Sequence, residues 1–135
     1  MPEEPETRAS YTKINLRGVE DAAPGNAFGH RWEARVAREP LDAERTGLSH
    51  FWLRPGKRSP FSHRHAQAEE IYVILEGTGR IKLDDEIIEI RPRDAIRIAP
   101  QVARALEAGP DGLEFIVVGA HHPADGEPVD DPWVS

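Results

Sequence analysis

His63-Arg64-His65-Ala66-Gln67-Ala68-Glu69-Glu70-Ile71-Tyr72-Val73-Ile74-Leu75-Glu76-Gly77 is the stretch whose reading decides the fold. Two histidines stand one residue apart, a carboxylate follows, and a short apolar run ends at a glycine. On a strand, side chains alternate between faces, so His63 and His65 point to the same side. Glu70 heads the run Ile71 to Leu75 and can lie on the neighbouring strand. Two imidazoles and one carboxylate on one face of a sheet form a donor set suited to a divalent metal.

Working outward, short β-prone runs recur between turn residues. Arg31–Arg38 alternates, with Trp32, Ala34 and Val36 on one parity, as a half-buried strand does. Strands are expected over Thr46–Arg54, Phe61–His65, Glu70–Leu75, Arg80–Leu83, Glu86–Ile90, Ala95–Ala99, Val102–Glu107 and Leu113–Val118. Pro55-Gly56, Gly77-Thr78-Gly79, Asp84-Asp85, Arg91-Pro92-Arg93-Asp94 and Gly109-Pro110-Asp111-Gly112 read as the turns between them. Pro24, Gly25, Asn26 and Gly29 punctuate an earlier loop. No segment keeps a 3.6-residue apolar period, so the pattern is that of an all-β sandwich or barrel, in which inward residues can line a ligand site.

Composition narrows the functional classes. A chain of 135 residues is expected to be one domain with a core that needs no covalent staple. There is no cysteine, so thiol chemistry and thiolate ligands are excluded, and a cytoplasmic location is expected. A net charge of −7 speaks against nucleic acid or an anionic membrane as a partner. The longest apolar run, Phe115 to Ala120, is too short to span a bilayer, and the acidic start is no secretory signal. Residues 1–10 are expected to be a disordered tail, 11–120 the barrel, and 121–135 an acidic C-terminal tail.

The order Gly56, His63-x-His65, Glu70, Gly77 resembles the first motif of the cupin superfamily, with one extra residue between Gly56 and His63. The second motif of that family is degenerate here. In its register Arg93, Ala99, Gln101, Arg104 and Ala108 stand where the family has Gly, Pro, Gly, His and Asn. The resemblance implies an all-β, cupin-type double-stranded β-helix (a jelly-roll barrel). It implies a metal, Fe, Mn, Ni or Zn, on His63, His65 and Glu70. It also implies a homodimer.

Arg104 replaces the family's third imidazole. A guanidinium stays charged and has no lone pair to donate. It can anchor an anionic substrate beside the metal, or it can pair with Glu70 and leave the site metal-free. Tyr72 shares the parity of Glu70 and is either a ligand contact or core. Arg97 breaks an apolar strand and either joins Arg104 in an anion pocket or faces solvent. His121 and His122, adjacent in sequence, are assigned to the surface or tail, as are His30 and His50. The expected function is binding of a small polar or anionic molecule in the barrel. The alternatives are a metal-dependent dioxygenase or isomerase with Arg104 as anchor, and a metal-free structural or regulatory cupin.

Overall fold

A computed structural model describes residues 6–7, 10–23, 29–60, 62–129 and 133. The first strands, β1 (Glu6–Thr7) and β2 (Thr12–Lys13), pair with each other and, among the described residues, with no other strand. The remaining strands are β3 (Trp32–Val36), β4 (Thr46–Leu53), β5 (Ser62–His65), β6 (Glu70–Leu83), β7 (Glu86–Ile90), β8 (Ala95–Ile98), β9 (Arg104–Ala120) and β10 (Gly126–Val129). They form one curled antiparallel sheet in which β9 joins β4, β5 and β6, while β6 also carries β7 and β8. The single helical element described is a 3-10 turn at Leu16–Gly18. The architecture is the expected all-β jelly-roll barrel. No described helix is long and apolar enough to cross a membrane.

Two expected breaks are not breaks. Gly77-Thr78-Gly79 and Gly109–Gly112 lie inside β6 and β9, which run continuously for 14 and 17 residues. The two glycine clusters face each other across the ladder. Gly77 pairs with Leu113 and Gly79 with Ala108, so two steps on β6 span five on β9. Both strands therefore bend together through an irregular register. Gly77 and Gly112 hold φ of +81° and +83°, and a Cβ on Gly112 would lie 2.0 Å from the Trp52 ring. Glycine at these positions signals a bend within paired strands.

Inside, Leu53, Tyr72, Ile74, Ile81, Ile98, Leu106, Leu113 and Phe115 form a continuous buried cluster. Four rings cross it in a row. Trp32 on β3 lies 4.7 Å from Phe51 on β4, Phe51 lies 5.1 Å from Phe115 on β9, and Phe115 lies 5.9 Å from Tyr72 on β6. Offset aromatic contacts at these separations add to the apolar burial. This row runs through the core from β3 to β6.

The tail assignments change. β10, within the expected C-terminal tail, pairs antiparallel with β5 and sets Gly126 opposite His65, so the sheet continues past residue 120. Most of the expected N-terminal tail lies outside the described residues, but Glu6–Thr7 form a strand. Phe61, Pro24 to Asn26 and Asp130 to Pro132 also lie outside the described residues.

Trp133 is held by stacked cations, with Arg58 4.8 Å and Arg80 5.4 Å from its ring. The same arginines clamp Glu107, Arg58 Nε at 2.7 Å and Arg80 Nη2 at 2.6 Å. Slight burial pushes the Glu107 carboxyl up, but the hydrogen bonds and charges of Arg58 and Arg80 outweigh it and hold the pKa below the usual glutamate value. A depressed folded pKa contributes stability that is fully present above the unfolded pKa and is lost as pH falls through the folded one. Urea titrations between about pH 5 and pH 3 should therefore show stability falling with acid, and Glu107→Gln should flatten that slope. An unchanged slope would remove Glu107 from the account.

Candidate metal centre

β5 is short and polar because it edges the mouth of the barrel. Its alternation turns His63 and His65 inward, and His63 sits opposite Arg104 of β9. Glu70 opens β6 opposite Gly119 of β9. A Cβ at Gly119 would lie 3.2 Å from Glu70 Cγ, so the missing side chain leaves room for the carboxylate to turn in.

Glu70 Oε1 lies 3.2 Å from His65 Nε2 and 3.8 Å from His63 Nε2. The three donor atoms all fall within 4.8 Å of one another. That spacing suits a cation bound at about 2.0–2.2 Å from nitrogen and oxygen donors. The two rings are nearly perpendicular, 83° apart with centroids at 5.1 Å.

His65 supplies the test of fit. Both its ring nitrogens are buried and neither makes a hydrogen bond. The Asp125 carboxylate is close, with Oδ2 3.2 Å from Nδ1, but neither this contact nor the one to Glu70 has hydrogen-bond alignment. Buried polar atoms are normally satisfied. An imidazole held between two carboxylates without hydrogen bonds is suited to donating a lone pair to a cation. The donor set, two imidazoles and one carboxylate, fits Fe(II), Mn, Ni or Zn.

Asp125 was hidden in the acidic tail. Its side chain is 5% exposed, and it accepts the backbone N–H groups of Gln67 at 3.0 Å and Ala68 at 2.9 Å. Desolvation pushes its pKa up, but those N–H groups and the charges of His65 and His122 lower it overall. Charge pattern alone could not reveal the role. The β5–β10 pairing brings Asp125 to His65.

Arg104 turns to Glu70. Its side chain is fully buried, at 0% exposure. Nη1 donates to Glu70 Oε1 at 2.8 Å, Nη2 to the carbonyls of Ala99 at 2.7 Å and Pro100 at 3.3 Å, and Nε to Val102 O at 3.1 Å. The guanidinium is consumed by the protein, so the expected anchoring of substrate by Arg104 is replaced by a strut that orients Glu70. Burial pushes the Glu70 pKa up, but His63, His65 and Arg104 outweigh it, and the carboxyl titrates below its ordinary value.

The other two expected ligand contacts are not at the cavity. Tyr72 lies beneath the centre, 2% exposed and stacked on Phe115. Burial and the Glu70 charge push its phenol above the usual range against the opposing effect of Arg104, so it remains protonated. Arg97 pairs in register with Ile71 on the outer face. It is 66% exposed and bridges to Glu69 at 3.4 Å, which is the solvent-facing outcome. His50 bonds Glu114 at 2.7 Å, away from the centre.

A cavity of about 230 Å³ opens beside the centre, lined by His65, Glu70, Ser49, Arg38, His121 and His122 among others. Both late histidines reach it, contrary to their assignment to the surface or tail. They follow the end of β9 at Ala120, where strand alternation no longer governs. A larger cleft of about 630 Å³ runs past Arg80, Arg91, Asp94 and Glu107. Within it Arg80 pairs with Glu107, and it contains none of the three donors.

The model of the cupin domain matches residues 49–119, just over half of the chain. This chain is a cupin. Among relatives, the cupin is 44% identical over 45 residues to an uncharacterized protein of Methanocaldococcus jannaschii, a match covering 33% of this chain and 36% of that protein. The chain thus spans about a third of the length of that relative. Among solved structures, it is similar to a cupin protein of Bacteroides fragilis, with TM-score 0.69 and 28% identity over 87% of this chain and 89% of that one. A sugar phosphate isomerase from the cupin superfamily of Silicibacter pomeroyi superposes with TM-score 0.72 at 20% identity, covering 87% and 82%. At that identity the likeness is one of fold, and this barrel hosts many chemistries.

Proposed function

We propose that this cupin holds one divalent ion on His63, His65 and Glu70 and binds a small polar or anionic molecule in the adjoining cavity. The observation that carries this reading is the buried, hydrogen-bond-free ring of His65 facing a carboxylate already fixed by Arg104. Bound there, the ion would supply a Lewis acid with open positions toward the cavity. Arg104 holds Glu70 in place, and Asp125 Oδ2 lies 3.2 Å from His65 Nδ1, the side from which outer carboxylates accept the N–H of metal-bound imidazoles.

Elemental analysis of purified chain, stripped and reloaded with Fe(II), Mn, Ni or Zn, should find about one ion per chain. Asp125→Asn should still bind, with affinity lower by about 10–100-fold. Metal content near zero with every ion would end the metal reading. It would favour the second reading, a metal-free binding or regulatory barrel, for which the Arg104–Glu70 pair is the supporting observation.

We also expect a cytoplasmic homodimer. Ile71 and Leu75 are exposed, and Ile71 and Val73 pair with Val118 and Ile116 on the same outward face. A second copy would cover this apolar strip, and light scattering would read the mass.

A further inference from the structure

We propose that Arg38, His121 and His122 form an anion-binding subsite at the mouth of the metal cavity, and that the ligand is a small carboxylate or phosphate. The proposal takes its position from the metal reading and deepens it by naming the ligand class.

The charge balance of the cavity is the first argument. Glu70 is the single carboxylate among its lining residues, and Arg104 already neutralises it. Arg38, which lines the same cavity, donates Nη1 to a neutral acceptor, the Ala43 carbonyl, at 3.1 Å. Among the described residues no carboxylate is ion-paired with it. Glu20 and Glu39 line the neighbouring cavity that Arg38 also borders, but a guanidinium fork with no ion-paired carboxylate at a concave wall draws a carboxylate or phosphate edge.

Chain path is the second. His121 N–H donates to Arg45 O at 2.8 Å. This ties the segment after β9 to the β3–β4 connection that carries Arg38. Three side chains able to donate to an anion are thereby gathered on one rim, with His65 and Glu70 on the same cavity wall. An imidazole donates at least one N–H in either charge state, so the rim does not need protonated histidine to act.

Size is the third. A volume of about 230 Å³ equals that of about eight waters in the liquid. It falls below the roughly 300–1,000 Å³ of sites for drug-sized ligands. The part of the ligand seated in the cavity is therefore an anionic group on a few carbons.

Calorimetric titration of the metal-loaded full chain tests this, with malonate and glycerol 1-phosphate as probes and 1,3-propanediol as neutral control. Metal content is read on the same samples. At least one anion should bind, the diol should not, and the preferred probe distinguishes carboxylate from phosphate as the source. Arg38→Gln should weaken anion binding about tenfold or more while keeping its ion. Arg38→Lys should retain part of the binding, and His121→Gln with His122→Gln should lower it further. A cooperative thermal unfolding transition in each variant reports that it has folded, whether or not it holds an ion.

Equal anion affinity in wild type and Arg38→Gln, or no anion bound by loaded wild type, overturns the subsite. Anion binding that needs Arg38 in a chain that takes up no ion upholds the subsite and removes the metal reading. An ion bound without any anion does the reverse.

Discussion

Arg104→Met is expected to destabilise the metal-free chain by about 3–5 kcal/mol, the usual cost of removing one partner from a buried ion pair. For a domain of this size that is a fall in Tm of roughly 10 °C or more. Two losses combine. Glu70 is left inward-facing without its guanidinium, and the carbonyls of Ala99, Pro100 and Val102 lose their donor. Burying a polar group without a partner is the expensive part. Arg104→Lys should recover little, because one ammonium cannot reproduce the planar fork that reaches Glu70 and the carbonyls together.

The pair can be dissected further. Adding Glu70→Gln to Arg104→Met removes the stranded charge and should restore part of the loss, a coupling expected only of partners in contact. Metal should also stabilise Arg104→Met more than wild type, since a cation would replace the lost countercharge on Glu70. Urea denaturation with and without metal reads all of these. An Arg104→Met chain as stable as wild type would show that the strut is unnecessary.

Part of the centre was legible because it is local. His63 and His65 share parity on β5, and Glu70 begins the next strand, so the alternation of strands and a short connection suffice to bring them together. The outcome for Arg97 follows the same rule, since its neighbour across the ladder, Ile71, faces out. Two further signals were read correctly in composition and wrongly in geometry. Gly77-Thr78-Gly79 and Gly109–Gly112 carry turn chemistry, but their facing positions on β6 and β9 convert two turns into one shared bend. His121 and His122, assigned to the surface or tail, follow the end of the strand at Ala120 and line the cavity instead.

Asp125 was not legible at all. Its sequence neighbourhood, Asp125-Gly126-Glu127-Pro128, has the makeup of a solvated tail. It is 60 positions beyond His65, and the pairing of Gly126 with His65 is a non-local fact that no short window contains. Arg104 was legible as a departure from the family pattern. Its role depended on where three backbone carbonyls point, which is a property of the folded 99–102 turn and not of its residue types.

The largest effect on the metal itself is expected from His65→Ala. Wild type should gain thermal stability with added metal, by about 2.7 kcal/mol when the free ion is a hundredfold above Kd. His65→Ala should show none of that gain at the same concentration. The metal-free variant distinguishes a ligand from a structural histidine. A structural imidazole would be bonded to its surroundings, and its loss would leave partners unsatisfied. Here neither ring nitrogen makes a hydrogen bond, so truncation removes no bond from the metal-free fold. Its desolvated nitrogens are themselves a burden there. Metal-free His65→Ala should therefore lose only the charge contacts to Glu70 and Asp125 and the packing of the ring, a smaller loss than truncating a hydrogen-bonded core histidine. A large loss of metal-free stability together with an undiminished metal shift would place His65 in the core and out of the centre. The opposite pattern, little loss without metal and no shift with it, is what an imidazole kept for a cation must show.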